Sequence, residues 1–244
     1  MTQQHPEQAP RPPLQPFLDG FRTALHSVFF YVLIGNYLGI GALAYEFGFS
    51  LIWMVLCTVL IWAAPAQLIL ISTLGTATLF EVAVAVTLSS VRFLPMVAAL
   101  LPSLRGPRTR QRDLILPMHF TAISVWIEGM RLVPARPREE RVAFYNGLGS
   151  SLMLSAVLSS AAGFILAARL PTLLAAALLF FTPMAVLMVS ARNSRTLLDG
   201  LAFGLGLVVW PAVASLKLGL ELMWTGLIAG TIAYAAHRIR EAMT

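Results

Sequence analysis

Two long apolar runs in this chain each carry a proline near the middle. They are LIWMVLCTVLIWAAPAQLILISTL around Pro65 and LLAAALLFFTPMAVLMVS around Pro183. An apolar run of about 20 residues is long enough to cross a bilayer as a helix. A proline inside it removes a backbone donor and disturbs the preceding turn. In lipid the freed polar groups must be satisfied by neighbouring protein or by a water-lined cavity. Helices interrupted at corresponding positions of two halves point to the binding site of a transporter.

The interrupted runs belong to a set of eight apolar segments, at about 23–45, 51–74, 78–101, 114–130, 144–168, 172–190, 197–215 and 220–236. Only 11% of the residues are charged, against about 25% in soluble domains, too few to clothe a soluble surface. The expected fold class is therefore an all-α integral membrane protein. It would be a polytopic bundle of about seven spans plus one in-plane or re-entrant segment, forming a single transmembrane domain over residues 17–240. The exception is segment four, DLILPMHFTAISVWIEGM, which holds Asp113, Pro117, His119 and Glu128 between two arginine clusters. Residues 1–16 are rich in Pro and Gln and lack the apolar region of a signal peptide; a disordered tail is expected there.

The net charge of +6 resides in short basic clusters between apolar runs: Arg105, Arg108, Arg110 and Arg112, then Arg131, Arg136, Arg138 and Arg141. That is the loop bias of a plasma (inner) membrane protein, and it argues for the lipid bilayer rather than nucleic acid as partner. If both clusters face the cytoplasm, segment four does not cross. Counting back through three spans then puts the N-terminus outside, with Arg11 and Arg22 on the disfavoured side; the alternative, in which segment four crosses, puts the N-terminus inside but Arg105, Arg108, Arg110 and Arg112 outside.

The two halves also resemble each other. PAQLILISTLGTATLFE (Pro65–Glu81) aligns without gaps on PMAVLMVSARNSRTLLD (Pro183–Asp199), matching the prolines, Ser72 with Ser190, Thr78 with Thr196, and a terminal acid. With segment four outside the count, residues 21–104 and 141–217 become inverted three-helix repeats, a common plan of secondary transporters. Small residues at helix-packing spacing (Gly35 and Gly39, Gly200 and Gly204, Gly226 and Gly230, and Ser151, Ser155 and Ser159) allow close helix approach. They serve either packing within the chain or docking of a second membrane subunit.

Enzyme constellations are missing. The four histidines are scattered without metal-ligand spacing, and there is no phosphate-binding loop or nucleophile elbow. No enzymatic role, cofactor or metal is expected. What remains is a short list of polar groups in apolar runs, where charge costs at least ~2.5–3.5 kcal/mol and marks function. Arg92, preceded by Ser89 and Ser90, could hold a substrate carboxylate; it could equally snorkel to the interface or pair with Glu128. Gln67, beside Pro65 and Ala66, could bind a ligand or replace a lost backbone partner. Asn36 is a lesser candidate, suited to an interhelical hydrogen bond. Glu81 and Asp199 fit helix N-termini. Cys57 reads as a small buried hydrophobe.

At these residues the chain resembles the AzlC family, the large subunits of branched-chain amino acid permeases and exporters. The likeness runs from about Phe21 to about Arg240. It rests on Phe47-Gly48-Phe49-Ser50, on Ala63-Ala64-Pro65-Ala66-Gln67-Leu68, and on Ser90-Val91-Arg92-Phe93 followed by Leu101-Pro102-Ser103-Leu104-Arg105. The family's Asn/Asp-x-Arg-His motif has Ser90 and Phe93 here in place of its first and last residues. Its Thr-Asp-Glu motif reads Thr121-Ala122-Ile123, so both acids are absent, with Glu128 a turn and a half beyond. The resemblance implies a secondary transporter exporting branched-chain or similar apolar amino acids. Gln67, Arg92 and Thr121 are the matching site residues, and a small AzlD-like four-helix subunit is the implied partner. A pocket drawing on Pro65, Pro183, Phe93, Trp62, Met96 and Trp126 would take the solute. The lost acids also fit two other readings: a non-transporting membrane scaffold, or a transporter of another small solute.

Overall fold

The computed structural model describes residues 12–74, 77–107, 109–171, 196–216 and 221–243, with scattered positions between 172 and 195. Arg108, Pro183 and most of the second proline-interrupted run lie outside the described residues. Among those described, the chain is helical with no named strand. Its helices are α1 (Leu14–Leu25), α2 (Val28–Glu46), α3 (Leu51–Ile61), α4 (Ala64–Thr73), α5 (Leu79–Ser90), α6 (Phe93–Leu104), α7 (Ile115–His119), α8 (Ile123–Leu132), α9 (Arg141–Arg169), α10 (Leu197–Ser215) and α11 (Glu221–Met243). Four stretches among these residues are long and apolar enough to cross a membrane: Val28–Glu46, Leu79–Leu104, Arg141–Arg169 and Leu198–Ser215.

Local sequence sets several of the helix starts. Ser27 separates α1 from α2 and accepts a hydrogen bond from the Phe29 amide at 3.1 Å. Thr78 with Glu81, and Thr196 with Asp199, form capping boxes that open α5 and α10, each satisfying orphan amides reciprocally. The matched acids are thus helix caps. The first helix begins at Leu14, inside the stretch expected to be a disordered tail, because α1 buries Pro16, Gly20 and Ala24.

The core forms where α1 and α2 together run alongside α9 in the same direction. Near the start of α9, Asp19 lies 3.8 Å from Arg136, whose guanidinium covers the Phe144 ring. Further along, a Cβ on Gly41 would collide with the Ser160 carbonyl, and one on Gly163 with the Leu38 carbonyl. At the far end the Tyr45 and Phe164 rings meet edge-on, centroids 5.4 Å apart. Glycine at the crossing brings the two backbones into contact, the close approach that membrane helices use in place of a hydrophobic drive. Ser151, Ser155 and Ser159 are all buried, so that stripe packs inside the chain. By contrast, among the described residues a Cβ on Gly200, Gly204, Gly226 or Gly230 would meet nothing within 4 Å.

Topology follows from which ends lie together. Arg141, at the start of α9, donates to the carbonyls of Ser103 at 2.9 Å, Arg136 at 2.9 Å and Pro134 at 3.0 Å. The end of α6 and the start of α9 therefore share one end of the bundle, the basic end, and segment four leaves and returns there. Its helices have 5 and 10 residues, too short for a hydrocarbon layer of about 30 Å. Val91 and Arg92 keep helical dihedrals, so α5 and α6 make one rod of 26 residues, about 39 Å long. That rod starts at the end opposite Ser103, which is also where α2 finishes.

The run 51–74 consequently enters and leaves at that opposite end. It was expected to cross; instead α3 and α4, with 11 and 10 residues, each reach about half the hydrocarbon depth. Two other expectations change with it. One crossing fewer puts α1 and Arg22 at the basic end, which removes the charge conflict of the sequence-based topology. And α2 and α9, which would open the two halves 21–104 and 141–217, run parallel, which lends the inverted repeats no support. Each short helix pair is followed by a long apolar stretch, α3–α4 by α5–α6 and α7–α8 by α9.

Cysteine labelling checks this arrangement. In a Cys57→Ala background, Arg22→Cys and Arg138→Cys are expected to react with an impermeant maleimide from the same membrane face, and Glu46→Cys from the other. Labelling of positions 22 and 138 from opposite faces would disprove the re-entrant assignment of 51–74.

Candidate functional site

The two re-entrant pairs meet tip to tip beside the middle of α9. At the first tip Trp62 ends α3 in a left-handed conformation (φ 42°, ψ 41°), and Ala63 is extended. α4 then starts with Pro65 in its first turn, where a missing amide hydrogen costs nothing. At the second tip α7 ends at His119, Ala122 is extended, and α8 begins at Ile123. The Trp62 indole donates to the Phe120 carbonyl at 3.0 Å, and His119 Nε2 lies 2.9 Å from the Val59 carbonyl. Trp62 also stacks on Tyr37 of α2, centroids 6.1 Å apart. The Phe120 ring fills the space a Cβ on Gly149 would need, and Thr58 Oγ1 is 3.4 Å from Ser160 Oγ. These contacts bracket the middle of α9, so the break lies at depth.

Both tips present helix N-termini that no side chain caps: neither Ala63 nor Ala122 supplies a capping bond. Around them Trp62, Ala63, Ala66, Thr121, Ser124 and Val125 are buried. The first amides of a helix have no partner within it, and each N-terminus carries about half a positive charge. This chain caps four of its other helices with Ser or Thr, at Ser27, Ser50, Thr78 and Thr196, and leaves α1, α6, α7 and α9 without a side-chain cap. At the two tips it uses alanine. The fourth residue of each half-helix adds an unpartnered polar atom. Gln67, 1% exposed, has its Oε1 buried without a hydrogen-bond partner, as does the indole N–H of Trp126.

The structure divides the residues expected at the site. Gln67, Ala66, Pro65 and Thr121 are at the tips. Thr121 is buried, donating to the Pro117 carbonyl at 2.9 Å and lying 3.3 Å from the Tyr145 hydroxyl. Asn36 is half-buried on α2, one residue before the Tyr37 that holds Trp62. Arg92 is exposed between α5 and α6, its guanidinium 5.2 Å from the centroid of the Phe93 ring. Ser90 bonds back to the Val86 carbonyl at 2.9 Å, and Ser89 is half-buried beside it. Glu128 does not pair with Arg92. It accepts from Ser27 Oγ at 2.6 Å and from Arg131, fastening α8 to the junction of α1 and α2. Pro183 lies outside the described residues.

Sequence reasoning placed Trp62 only in a general lining and did not single out Phe120 or Tyr145. The run Leu51–Ile61, apolar but for Thr58 and leading into Trp-Ala-Ala-Pro, marks the first break; the second had only Pro117 and the polar pair His119 and Thr121 to announce it.

A family model described as AzlC protein matches residues 28–170. That span begins at α2, ends just after α9, and contains both re-entrant pairs. No curated protein and no solved structure matches the chain.

Proposed function

The chain belongs to the AzlC family, which is linked to branched-chain amino acid transport, and on that premise we propose that it is a secondary transporter moving branched-chain or similarly apolar amino acids outward across the plasma membrane. One observation carries the reading beyond family membership: two half-helices entering from opposite ends meet at mid-depth with uncapped N-termini. Backbone of that kind within a bilayer is tolerated where it lines a cavity, and transporters place their substrates at such interruptions. The apolar residues around the tips, Trp62, Phe120 and Val125, suit an aliphatic side chain. The basic end of the bundle, with Arg22, Arg105, Arg131 and Arg138, is the cytoplasmic end by charge bias. A small AzlD-like subunit is the proposed partner, and α10 and α11, whose glycines meet no other described residue within 4 Å of a built Cβ, offer it a surface.

Proteoliposome flux tests this reading. The full chain, with and without the small subunit, is expected to give saturable movement of labelled leucine, isoleucine or valine, chased by excess unlabelled substrate. No saturable flux of any of the three, with the subunit present, would overturn it in favour of a non-transporting scaffold.

A further inference from the structure

The tip-to-tip geometry identifies which chemical groups of a solute each element can hold. We infer that the paired N-termini of α4 and α8 form the carboxylate site and that Gln67 Oε1 takes the ammonium group, so that the ligand class is an α-amino acid recognised as a zwitterion, without Arg92. This rests on the transporter reading and specifies its binding site.

The carboxylate assignment comes from α4 and α8 together. Each has ten residues, neither has a side-chain cap, and each has buried residues in its first turn, Ala66 in α4 and Ser124 and Val125 in α8, although Ile123 at the start of α8 is exposed. Each uncapped terminus provides free amides and partial positive charge, a ready anion site, and the Trp62–Phe120 bond ties one tip to the other. The Trp126 indole N–H, buried without a partner, is a further donor in the second turn of α8. Arg92, the one guanidinium expected to do this work, is exposed on the α5–α6 rod.

The ammonium assignment comes from Gln67, independently of the termini. Its side chain is buried and its carbonyl oxygen lacks a donor. A helical side chain leans back over the turn preceding its own Cα, which for Gln67 is the first turn of α4. An amide oxygen is an acceptor, and an orphaned one in apolar surroundings costs free energy until a donor arrives. The α-ammonium of an amino acid whose carboxylate sits on the termini supplies that donor.

Equilibrium binding of labelled leucine to the reconstituted full chain, with competitors, is the test. Isoamylamine lacks the carboxylate and 4-methylpentanoate lacks the ammonium; each should compete at least ~10-fold more weakly than leucine, the loss expected for one charged hydrogen-bonding group. Ile123→Pro deletes one amide donor at the first helical position of α8, where proline is tolerated, and Ala122 is already extended as a residue before proline requires. It should weaken leucine and 4-methylpentanoate together and leave isoamylamine unchanged. Gln67→Leu should weaken leucine and isoamylamine and leave 4-methylpentanoate unchanged. Circular dichroism and elution volume show that each variant is folded; an unfolded Ile123→Pro is replaced by Ile123→Ala and Trp126→Phe, of which only the second should weaken leucine. Leucine binding that both tip variants leave intact would overturn the assignment and keep the transporter reading. No leucine binding by the unmodified protein would remove both.

Discussion

Trp62→Ala is expected to abolish leucine flux and to destabilise the fold by about 3–5 kcal/mol, the range for truncating a buried aromatic side chain. Trp62 joins three elements at one point. Its ring stacks on Tyr37 of α2, its indole N–H holds the Phe120 carbonyl of the opposite tip, and its backbone turns α3 into α4. Without it the two half-helix termini lose their direct connection and the site its geometry. Trp62→Phe separates the contributions. The ring and its stack remain, and the Phe120 carbonyl keeps its bond from the Ala122 amide at 2.8 Å, so stability should fall by only ~1 kcal/mol. Trp62→Gly offers a third comparison: left-handed backbone costs an L-residue about 1–2 kcal/mol, so glycine should be less destabilised than alanine. Denaturant titration in micelles and flux in proteoliposomes measure these effects. Wild-type stability and flux in Trp62→Ala would mean that the tips do not depend on each other.

Gly163→Leu is expected to cost about 3 kcal/mol, the upper part of the usual range for overpacking, and to sharply lower the yield of folded protein. The obstacle to a side chain there is the Leu38 backbone carbonyl, which cannot rotate away as a side chain could. α2 and α9 would have to separate, and with α2 goes Tyr37, the platform for Trp62. Gly200→Leu is the control. A Cβ at Gly200 meets nothing within 4 Å, so its effect should stay within about 0.5 kcal/mol. Equal losses in the two variants, read from detergent-solubilised yield and melting temperature, would refute the α2–α9 crossing as the organising contact.

Sequence by itself determined the helical membrane class, the break at Pro65, the placing of Glu81 and Asp199 at helix N-termini, and the family. Each follows from information local to the chain: run length, a missing amide hydrogen, a side chain three residues from its acceptor. What local information cannot carry is direction. An apolar run of 24 residues has the same composition whether it crosses the bilayer or folds back at Trp62, so the path of that run and the end at which α1 lies waited on the tertiary structure. Only contacts between distant residues decided them: Arg141 on Ser103, Gly41 on Ser160, Trp62 on Phe120. The same holds for Arg92. A lone guanidinium in an apolar run suggests a buried anion site, whereas the fold leaves Arg92 exposed; the uncapped N-termini of α4 and α8 escape a side-chain inventory because their donors belong to the backbone.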